Sequence, residues 1–463
     1  MTRSLRLAAL CTAALLTAAT FVAPAGASLI GRGAPSGRPR VSATTGGPIA
    51  AVAATSSRLV QSDRAAGNYV LSVSVTAPAG PSVGGAVVQF VGGAAPQLRV
   101  ANIIASSTPT TVTADVYVTG PLDTFQVMTV SPVQVGTITL TPAPPGLVVR
   151  GTQFISANGQ PVLWYGINAD PFETAADMAD LKEQTGSTIV RIPTSECMWM
   201  SWSADYVPGY RQKIIDEVHA VTAAGMTAIL DLHWACMDNP KYVQDGWNTY
   251  DQVDADQHSL LFWQDAASVF KNNPAVMFEL FNEPQMQDTL TYSGLTGDQV
   301  WLNGGKMSYY MTTWQAPGMQ QLYNVIRATG ANNVVLVDGT DWASSLVPAM
   351  NDPLVGTNIA YAYHAYVHAG ANPAGPSPFL DSDVAPAINP AGFAQAGLAT
   401  EFGTETSNPT ATEYFENTIG WMESHGTGWV VWGWYPAQND PYGLLNAAGT
   451  APLGRGLVVL KSL

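Results

Sequence analysis

An amide and a carboxylate side by side, followed by proline, form the first candidate for chemistry in this sequence. Asn282, Glu283 and Pro284 come directly after the largely apolar residues 275–281. An apolar run of this length predicts a strand that is buried on both faces. Because proline cannot donate to a continuing sheet, we expect the strand to end at this pair and to hold the carboxylate rigidly. A carboxylate held in this way is a candidate general acid or base.

Glu401 is the second carboxylate of the same kind, because it ends the apolar stretch 397–400 and is followed by Phe402 and Gly403. Two carboxylates that face each other can cleave an acetal. One donates a proton to the leaving oxygen, and the other attacks or stabilises the anomeric carbon. The alternative is that Glu401 only forms a salt bridge with Arg191, which would itself keep Glu401 ionised.

A repeating pattern of apolar strands and amphipathic helices surrounds these residues. It predicts strands at 163–168, 187–192, 226–233, 275–281, 334–338, 359–364, 397–402 and 428–434. Helices are predicted at 174–184, 209–224, 259–271, 318–329 and 410–424. Eight strands with helical crossovers predict an α/β fold, a (β/α)₈ TIM barrel, rather than an open doubly wound sheet.

In such a barrel, the residues at the carboxyl ends of the strands line one shared mouth. An isolated arginine or histidine at a strand end is more often structural than functional. Here every predicted strand ends in an ionisable, amide or aromatic residue, and this regularity favours a site. The residues are Asn168, Arg191, Asp231, His233, Asn282, Glu283, Asp338, His364, Tyr366, Glu401, Trp432 and Trp434.

The first residues have the pattern of a secretory signal. Arg3 and Arg6 precede the apolar residues 7–23, and small residues follow at 25–27. We therefore expect residues 1–27 to be a signal peptide of a secreted, extracellular protein. The alternative is a membrane anchor, although the apolar run is slightly short for one. No later segment is long and apolar enough to span a membrane.

The chain before the barrel divides by composition. Residues 28–46 predict a flexible lead, and residues 47–140 alternate with period two between turn residues, which predicts a small all-β sandwich module. Residues 141–146 predict a proline-rich linker, so the catalytic domain would span residues 147–463. All 13 tryptophans follow the module. Since sugar-binding surfaces need exposed aromatic rings, we expect a spacer or attachment domain rather than a sugar-binding module.

Composition limits the partners. The formal net charge of −15 argues against nucleic acid and anionic membranes, so we expect a neutral ligand. We also expect a monomer. Removal of the signal leaves Cys197 and Cys236, which predict a disulfide between neighbouring loops, with two free thiols as the alternative. No Cys/His cluster has zinc-ligand spacing, so we expect no metal.

Residues 147–463 resemble the catalytic domain of glycoside hydrolase family 5. Asn282-Glu283-Pro284 matches the motif of the fourth strand, and Glu401 matches the nucleophile of the seventh. The resemblance implies that Glu283 is the proton donor and that Asn282 holds the sugar 2-hydroxyl. The other matching positions are Arg191, His233, His364, Tyr366 and a tryptophan of the eighth strand, for which we favour Trp434 over Trp432 as the ring beneath the sugar.

The resemblance also implies how the reaction proceeds. Arg191 and Tyr366 would hydrogen-bond the nucleophile, and the Asn158-Gly159 hairpin would close the floor of the barrel. We expect a retaining mechanism, in which the two carboxyl groups lie about 5 to 5.5 Å apart, rather than the roughly 6.5 to 9.5 Å of an inverting enzyme. Glu283 would be protonated at rest and Glu401 ionised. Two carboxylates suffice for acetal cleavage, so we expect no cofactor.

Aromatic residues in the predicted loops indicate the substrate. Their faces stack on the apolar faces of equatorial pyranosides, which suits a β-linked glucan or mannan. The candidates for this groove are Trp199, Trp202, Trp234, Tyr292, Trp301, Tyr309, Tyr310, Trp314 and Trp342. We also expect the substrate to contact Asn168, Trp234 and Trp342.

We therefore predict a secreted endo-β-1,4-glucanase acting on a polysaccharide or oligosaccharide. The alternatives within enzymes are a β-mannanase, an exo-β-1,3-glucanase or another β-glycosidase of the same family. The long loop 285–317 could block one end of the groove and make the action exo. A non-catalytic carbohydrate-binding or surface-attachment protein is the alternative of another class.

Overall fold

Eight parallel strands form a closed barrel in the computed structural model of the protein. Their bounds are Tyr165–Asn168, Ile189–Ser195, Thr227–Trp234, Val276–Glu279, Val335–Asp338, Ile359–His364, Gly397–Glu401 and Gly428–Val431. Each strand pairs with the next, and the eighth returns to the first, where Tyr165 lies opposite Trp429. The predicted (β/α)₈ barrel is confirmed, and the polar residues at the strand ends therefore face one mouth.

The structure describes the barrel domain almost throughout and the strands of the N-terminal part. The described residues are 41–42, 57–61, 64, 67–76, 82–90, 98–105, 109–118, 124–129, 134–142, 147–157, 159–169, 175–203, 205–235, 255–285, 290–291, 296–309, 312–367, 372–388, 395–437, 441–446 and 451–463. The predicted signal peptide, most of the predicted lead, Asn158, Cys236, Tyr292 and Tyr310 lie outside them.

Helices cover the outside of the barrel. Their bounds are Ala175–Thr185, Glu196–Trp199, Tyr210–Ala223, Gln257–Phe270, Gly297–Asn303, Met319–Ala328, Thr340–Ala343, Val347–Asn351, Ala385–Ile388, Ala411–Ser424 and Gly454–Ser462, with a π-helical turn at Leu380–Val384. All five predicted helices are present. The helix that begins at Gln257 has a capping box, in which Asp256 and Ser259 satisfy each other's backbone amides. Within the described residues, no helix is both long and apolar enough to cross a bilayer.

Two hydrophobic cores hold the barrel together. The larger core lies between the strands and the surrounding helices, and Phe262, Trp263 and Phe278 are among its buried members. The smaller core fills the lower interior of the barrel, where Val149 and Phe154 pack against residues from the strands. Because both faces of each strand are covered, the strands are almost wholly buried, as their apolar sequences indicated.

A small antiparallel sheet precedes the first barrel strand and contributes to the interior core. It consists of Val148–Arg150, Gln153–Ile155 and Pro161–Val162. The last two strands are joined by a turn in which Gly159 adopts a φ of 80°, a conformation that a residue without a side chain adopts easily. Since Val149 and Phe154 belong to both this sheet and the interior core, the sheet closes one end of the barrel.

Two expectations about the fourth strand and its loop were wrong. The strand ends at Glu279, before the Asn-Glu pair, although Asn282 still donates its backbone amide to Leu232 on the third strand. The segment predicted as one long loop contains a helix and a three-stranded sheet formed by Leu290–Thr291, Gly304–Tyr309 and Thr312–Pro317. Trp301 is fully buried there, so it does not line a groove.

The N-terminal part is all-β, as predicted. Its strands are Val41–Ser42, Ser57–Gln61, Gly67–Thr76, Ser82–Phe90, Leu98–Ala105, Thr110–Val118, Thr124–Thr129 and Gln134–Pro142. They form one sheet of five strands and one of three, and Gly67–Thr76 is the central strand of the smaller sheet. Leu71 and Val73 are buried while Ser72 and Ser74 are partly exposed, which is the alternation that the sequence shows.

Candidate active site

The two candidate carboxylates lie together at the mouth of the barrel. Glu401 is the last residue of the seventh strand, and Glu283 follows the fourth strand in a segment whose backbone stays bonded to its neighbour as far as Asn282. One oxygen of each carboxyl group and one nitrogen of His364 lie within 4.8 Å of one another. The side chain of Glu283 is 27% exposed and that of Glu401 only 5%. The two groups therefore share a cavity but have different surroundings.

Glu401 accepts a hydrogen bond on each oxygen. Arg191 Nη1 donates to Oε1 at 2.5 Å, and the Tyr366 hydroxyl donates to Oε2 at 2.8 Å. Burial, followed by the charges of Glu401 and Glu283, raises the pKa of Tyr366 well above its ordinary value. Tyr366 therefore keeps its proton and acts as a donor, and an acceptor-only carboxylate fits this position.

Arg191 is fully buried and contacts five polar side chains. Nε donates to Glu279 at 2.6 Å, and Nη1 donates to Asn168 at 3.0 Å and to Glu401 at 2.5 Å. Nη2 donates to Asn282 at 2.7 Å and lies 2.8 Å from Asp231. Because five side chains hold the guanidinium from several directions, Arg191 connects the side chains of four strands to one another.

The charges around Arg191 explain why it can be buried. Burial lowers the pKa of the guanidinium, but the carboxyl groups of Asp231, Glu279 and Glu401 outweigh this effect and raise it well above its ordinary value. Burial raises the pKa of Asp231 to about 7 although Arg191 acts in the opposite direction. Removal of one partner would leave a buried charge uncompensated, which typically costs about 3–5 kcal/mol.

His233 connects Asp231 with Asn282. Burial lowers the pKa of His233 to about 4, so the imidazole is neutral and carries one N–H. Nδ1 lies 2.7 Å from Asp231 Oδ2 and donates to it, which leaves Nε2 to accept from Asn282 Nδ2 at 3.3 Å. Because Asn282 Oδ1 accepts from Arg191, the orientation of the Asn282 amide is set from both sides.

His364 is the direct partner of Glu283. Burial lowers the pKa of His364 to about 4, so its ring is also neutral. Nδ1 lies 2.7 Å from Glu283 Oε1 and 3.6 Å from Glu401 Oε2. A neutral imidazole that donates Nδ1–H to Oε1 of Glu283 holds this carboxyl group beside Glu401.

Asn168 is placed differently from our expectation. It is fully buried, and its amide group donates to the backbone carbonyls of Thr400 and Val431 while its oxygen accepts from Arg191. Its polar atoms therefore connect the first strand to the seventh and eighth and hold Arg191. We correct its assignment from substrate contact to support of the guanidinium.

Of the two tryptophans that follow the eighth strand, Trp432 contacts a residue of the site. The ring of Trp432 lies parallel to the imidazole of His233, with 5.3 Å between centroids and 15° between planes. Trp434 packs against the larger hydrophobic core. The structure therefore favours Trp432 as the aromatic surface beside the carboxylates, where the sequence interpretation favoured Trp434.

The remaining aromatic candidates divide by exposure. Trp234 is partly buried against His233, with ring centroids 4.3 Å apart. Trp342 is 38% exposed, and its backbone amide donates to the carbonyl of Pro284, beside Glu283. Trp202 is also exposed, whereas Trp199 is buried and donates to Asp265, so Trp199 does not line a groove.

Cys197 is disulfide-bonded, and Cys236 lies outside the described residues.

Glu279 is the residue of this site that the sequence interpretation missed. It ends the fourth strand, is fully buried and accepts from Arg191 Nε at 2.6 Å. A single charged residue inside the apolar run 276–281 was the available signal, because an unpaired carboxylate is not tolerated there.

Among the described residues, three groups place ligand atoms close enough for a cation: Glu196 with Asp256 and His258, Glu279 with Asp338 and His364, and Glu283 with His364 and Glu401.

Comparison with known proteins relates the barrel to one family. The sequence model of the cellulase family, glycosyl hydrolase family 5, matches residues 155–438. Endoglucanase Z of Dickeya dadantii is 25% identical over 224 residues, which are 47% of this chain and 43% of that protein. An endoglucanase of Clostridium saccharobutylicum is 24% identical over 297 residues, which are 62% of this chain and 56% of that protein. The chain thus spans about half the length of the curated relatives it matches.

The fold has a solved counterpart. A β-glucanase from Saccharophagus degradans, crystallised in complex with cellotetraose, superposes with a TM-score of 0.51 at 20% sequence identity. The match covers 69% of this chain and 93% of that chain. At this identity the similarity establishes the shared barrel.

Proposed function

This chain belongs to glycosyl hydrolase family 5, and on that premise we propose that it is a secreted, retaining β-glycanase, an endo-β-1,4-glucanase. The observation that carries the proposal is the pair of carboxyl groups of Glu283 and Glu401. One oxygen of Glu283 lies within 4.8 Å of one oxygen of Glu401, and the two groups have contrasting surroundings. Glu401 accepts from a cation and a phenol, whereas Glu283 is more exposed and contacts a neutral imidazole. Such a pair can supply a nucleophile and a proton donor.

In the first step, Glu283 gives its proton to the glycosidic oxygen while Glu401 attacks the anomeric carbon. The leaving group departs, and a covalent glycosyl–enzyme forms on Glu401. Arg191 and Tyr366 aim Glu401, since each of its oxygens is held by one of them. Arg191 and His233 set the orientation of Asn282, which leaves its amide beside the ring of the sugar as a donor for the 2-hydroxyl.

In the second step, Glu283 acts as the base. It takes a proton from a water molecule whose oxygen attacks the anomeric carbon, and the carboxylate of Glu401 leaves. Negative charge returns to Glu401 in this step, and the hydrogen bonds from Arg191 and Tyr366 stabilise it. Both steps invert the anomeric centre, so the product has the configuration of the substrate. The short distance between the carboxyl groups supports this route over the wider separation of inverting enzymes.

The substrate proposal rests on the aromatic surfaces and on the relatives. Trp432 is stacked beside His233, and Trp342 is exposed next to the segment that carries Glu283. Flat aromatic surfaces suit the equatorial faces of β-linked glucosyl units. Two of the similar proteins are named endoglucanases, and the β-glucanase with the same fold has been crystallised with cellotetraose. These observations together favour a β-1,4-glucan.

The proposal of secretion has two supports. The first 27 residues have the composition of a signal peptide. In addition, Cys197 is disulfide-bonded, and such bonds persist mainly in oxidising compartments. We propose that Cys236 is its partner and that residues 47–140 form an accessory module joined to the catalytic domain by residues 141–146.

The decisive experiment replaces each carboxyl group by its amide. Glu401→Gln and Glu283→Gln should each lower kcat on carboxymethyl-cellulose by several orders of magnitude, because each removes a group that takes part in both steps. Glu413→Gln is the matched control, since this glutamate is exposed on the helix Ala411–Ser424. Undiminished hydrolysis by the Glu401→Gln protein would refute the assignment, and retained cellulose binding without turnover in the wild type would support a non-catalytic protein.

The stereochemistry is tested separately. Proton NMR of the first product should show the β-anomer before mutarotation, and appearance of the α-anomer first would contradict retention. Azide added to Glu401→Ala should restore turnover of an activated aryl glucoside and give the α-glycosyl azide, because azide then attacks in place of the missing carboxylate. Parallel assays on mannan and laminarin decide between a glucanase and the alternative β-mannanase or β-1,3-glucanase.

A further inference from the structure

Two buried carboxyl groups lie beneath the site and take no part in the proposed reaction. Glu279 ends the fourth strand and Asp338 ends the fifth, and the two strands are neighbours in the barrel. Both side chains are fully buried. One oxygen of each lies within 4.8 Å of the other and of a nitrogen of His364. Two like charges at this separation, away from water, would be strongly unfavourable.

The hydrogen bonds around this pair are incomplete. Glu279 Oε2 accepts from Arg191, but Oε1 receives no hydrogen bond among the described residues, and neither oxygen of Asp338 does. A buried acceptor without a donor typically costs about 1–3 kcal/mol, and more when it is charged. A proton on one carboxyl group would supply the missing donor and remove one charge, since the two side chains are within hydrogen-bonding reach.

The surroundings decide which group carries the proton. Asp338 is faced by Glu279 from the fourth strand, Arg191 from the second, Asp231 from the third and His364 from the sixth. Arg191 donates directly to Glu279, whereas its contact with Asp338 is only through space. Burial and then the charge of Glu279 raise the pKa of Asp338 well above its ordinary value. The direct contact with the guanidinium therefore favours the negative charge of the pair on Glu279.

We propose that Asp338 is a neutral carboxylic acid that donates its proton to Glu279 Oε1 and thereby acts as a positioning residue for Glu401. Glu279 then offers Arg191 a single oxygen, Oε2, and Nη1 of the guanidinium stays on Glu401. Without this proton, Glu279 has a second free oxygen that competes for the guanidinium. The positioning role rests on the proposed function, whereas the shared proton does not.

Two substitutions separate a donor from a charge at this position. Asp338→Asn keeps the shape, the neutrality and an N–H donor, so kcat/KM and its pH profile should stay close to those of the wild type. Asp338→Leu has a similar size but no donor. It should lower kcat/KM by about tenfold or more and move the acidic limb of the profile to higher pH, because a carboxylate that loses part of a cationic donor is protonated more readily. Asp180→Asn, on an exposed helix, is the matched control.

An infrared measurement tests the proton without using activity. The spectrum of the folded wild-type chain at neutral pH should contain the carbonyl stretch of a protonated carboxylic acid that is lost in Asp338→Asn and kept in Asp180→Asn. No loss of this band would overturn the proposal, and so would a bound cation that keeps both carboxylates ionised. An Asn variant as impaired as the Leu variant would overturn it as well. If the wild type hydrolysed no glucan, the proposed function would fail while the infrared result still decided the shared proton.

Discussion

The hydroxyl of Tyr366 should matter more for the second step of the proposed reaction than for the first. It donates to Glu401 Oε2 at 2.8 Å, and Tyr366→Phe removes this hydrogen bond without changing the shape of the ring. In the first step the charge on Glu401 decreases, so the hydrogen bond weakens toward the transition state. In the second step the charge returns, and the hydrogen bond strengthens. The substitution should therefore slow breakdown of the glycosyl–enzyme selectively.

The magnitude follows from the contact. A hydrogen bond to a charged group contributes about 1.5–3 kcal/mol, and Glu401 is too buried for water to replace the donor. If roughly half of the charge has returned at the transition state, the loss is about 0.8–1.5 kcal/mol, which corresponds to a fall of about four- to twelvefold in kcat. Since breakdown limits turnover of an activated aryl β-cellobioside, KM should fall with kcat, and kcat/KM should change little.

Pre-steady-state kinetics measures this effect directly. The Phe variant should show a larger burst of aryl alcohol followed by a slower steady state, and mass spectrometry of the quenched enzyme should detect the glycosyl adduct on Glu401. Tyr363→Phe is the matched control, because this tyrosine lies in the strand Ile359–His364, which precedes Tyr366, and its hydroxyl donates to Thr427 at 3.4 Å, away from the carboxylates. An equal fall in kcat and kcat/KM, or a higher KM with unchanged kcat, would refute the reasoning.

Three further outcomes are expected. Trp432→Ala should raise KM for cello-oligosaccharides about tenfold or more through lost stacking, as initial-rate kinetics would show. Trp434→Ala should lower Tm in melting curves more than it changes KM. Imidazole NMR at pH 5 should find His233 and His364 neutral, because burial lowers both pKa values from 6.5 to about 4. Their contribution to the free energy of unfolding is then complete above pH 6.5 and is lost as the pH falls toward 4. Protonated rings at pH 5 would contradict this. Cys197→Ser should lower the free energy of unfolding by about 2–5 kcal/mol in denaturant titrations, and an unchanged midpoint would argue against a stabilising disulfide.

The regular elements were predictable because their signals are local. Apolar runs of strand length and amphipathic runs of helix length alternate through residues 147–463, and the structure contains every predicted strand and helix of the barrel. The errors fall where the backbone is irregular. The strand before Glu283 ends at Glu279, because after that residue the chain keeps only some of the sheet's hydrogen bonds. The segment 285–317 contains a helix and a three-stranded sheet, and Trp301 in that helix is fully buried.

The site was partly predictable. Residue type and position at the strand ends indicated Glu283, Glu401 and their neighbours, because a barrel gathers these ends whatever the loops do. The roles of the supporting residues were less accessible. Asn168 and Trp434 were expected to face the substrate. The polar atoms of Asn168 bond to backbone carbonyls and to Arg191, and Trp434 is partly buried and packs against the larger core.

By itself, the sequence determined the class of fold, the two carboxylates and the kind of bond they could break, since periodicity and residue chemistry are properties of short segments. Only the tertiary structure decided how charge is distributed around them. Arg191 is shared among Asp231, Glu279 and Glu401, which lie on different strands far apart in the chain. Which of these groups is ionised, protonated or free to act depends on burial and on distances of a few ångströms, and folding alone sets both.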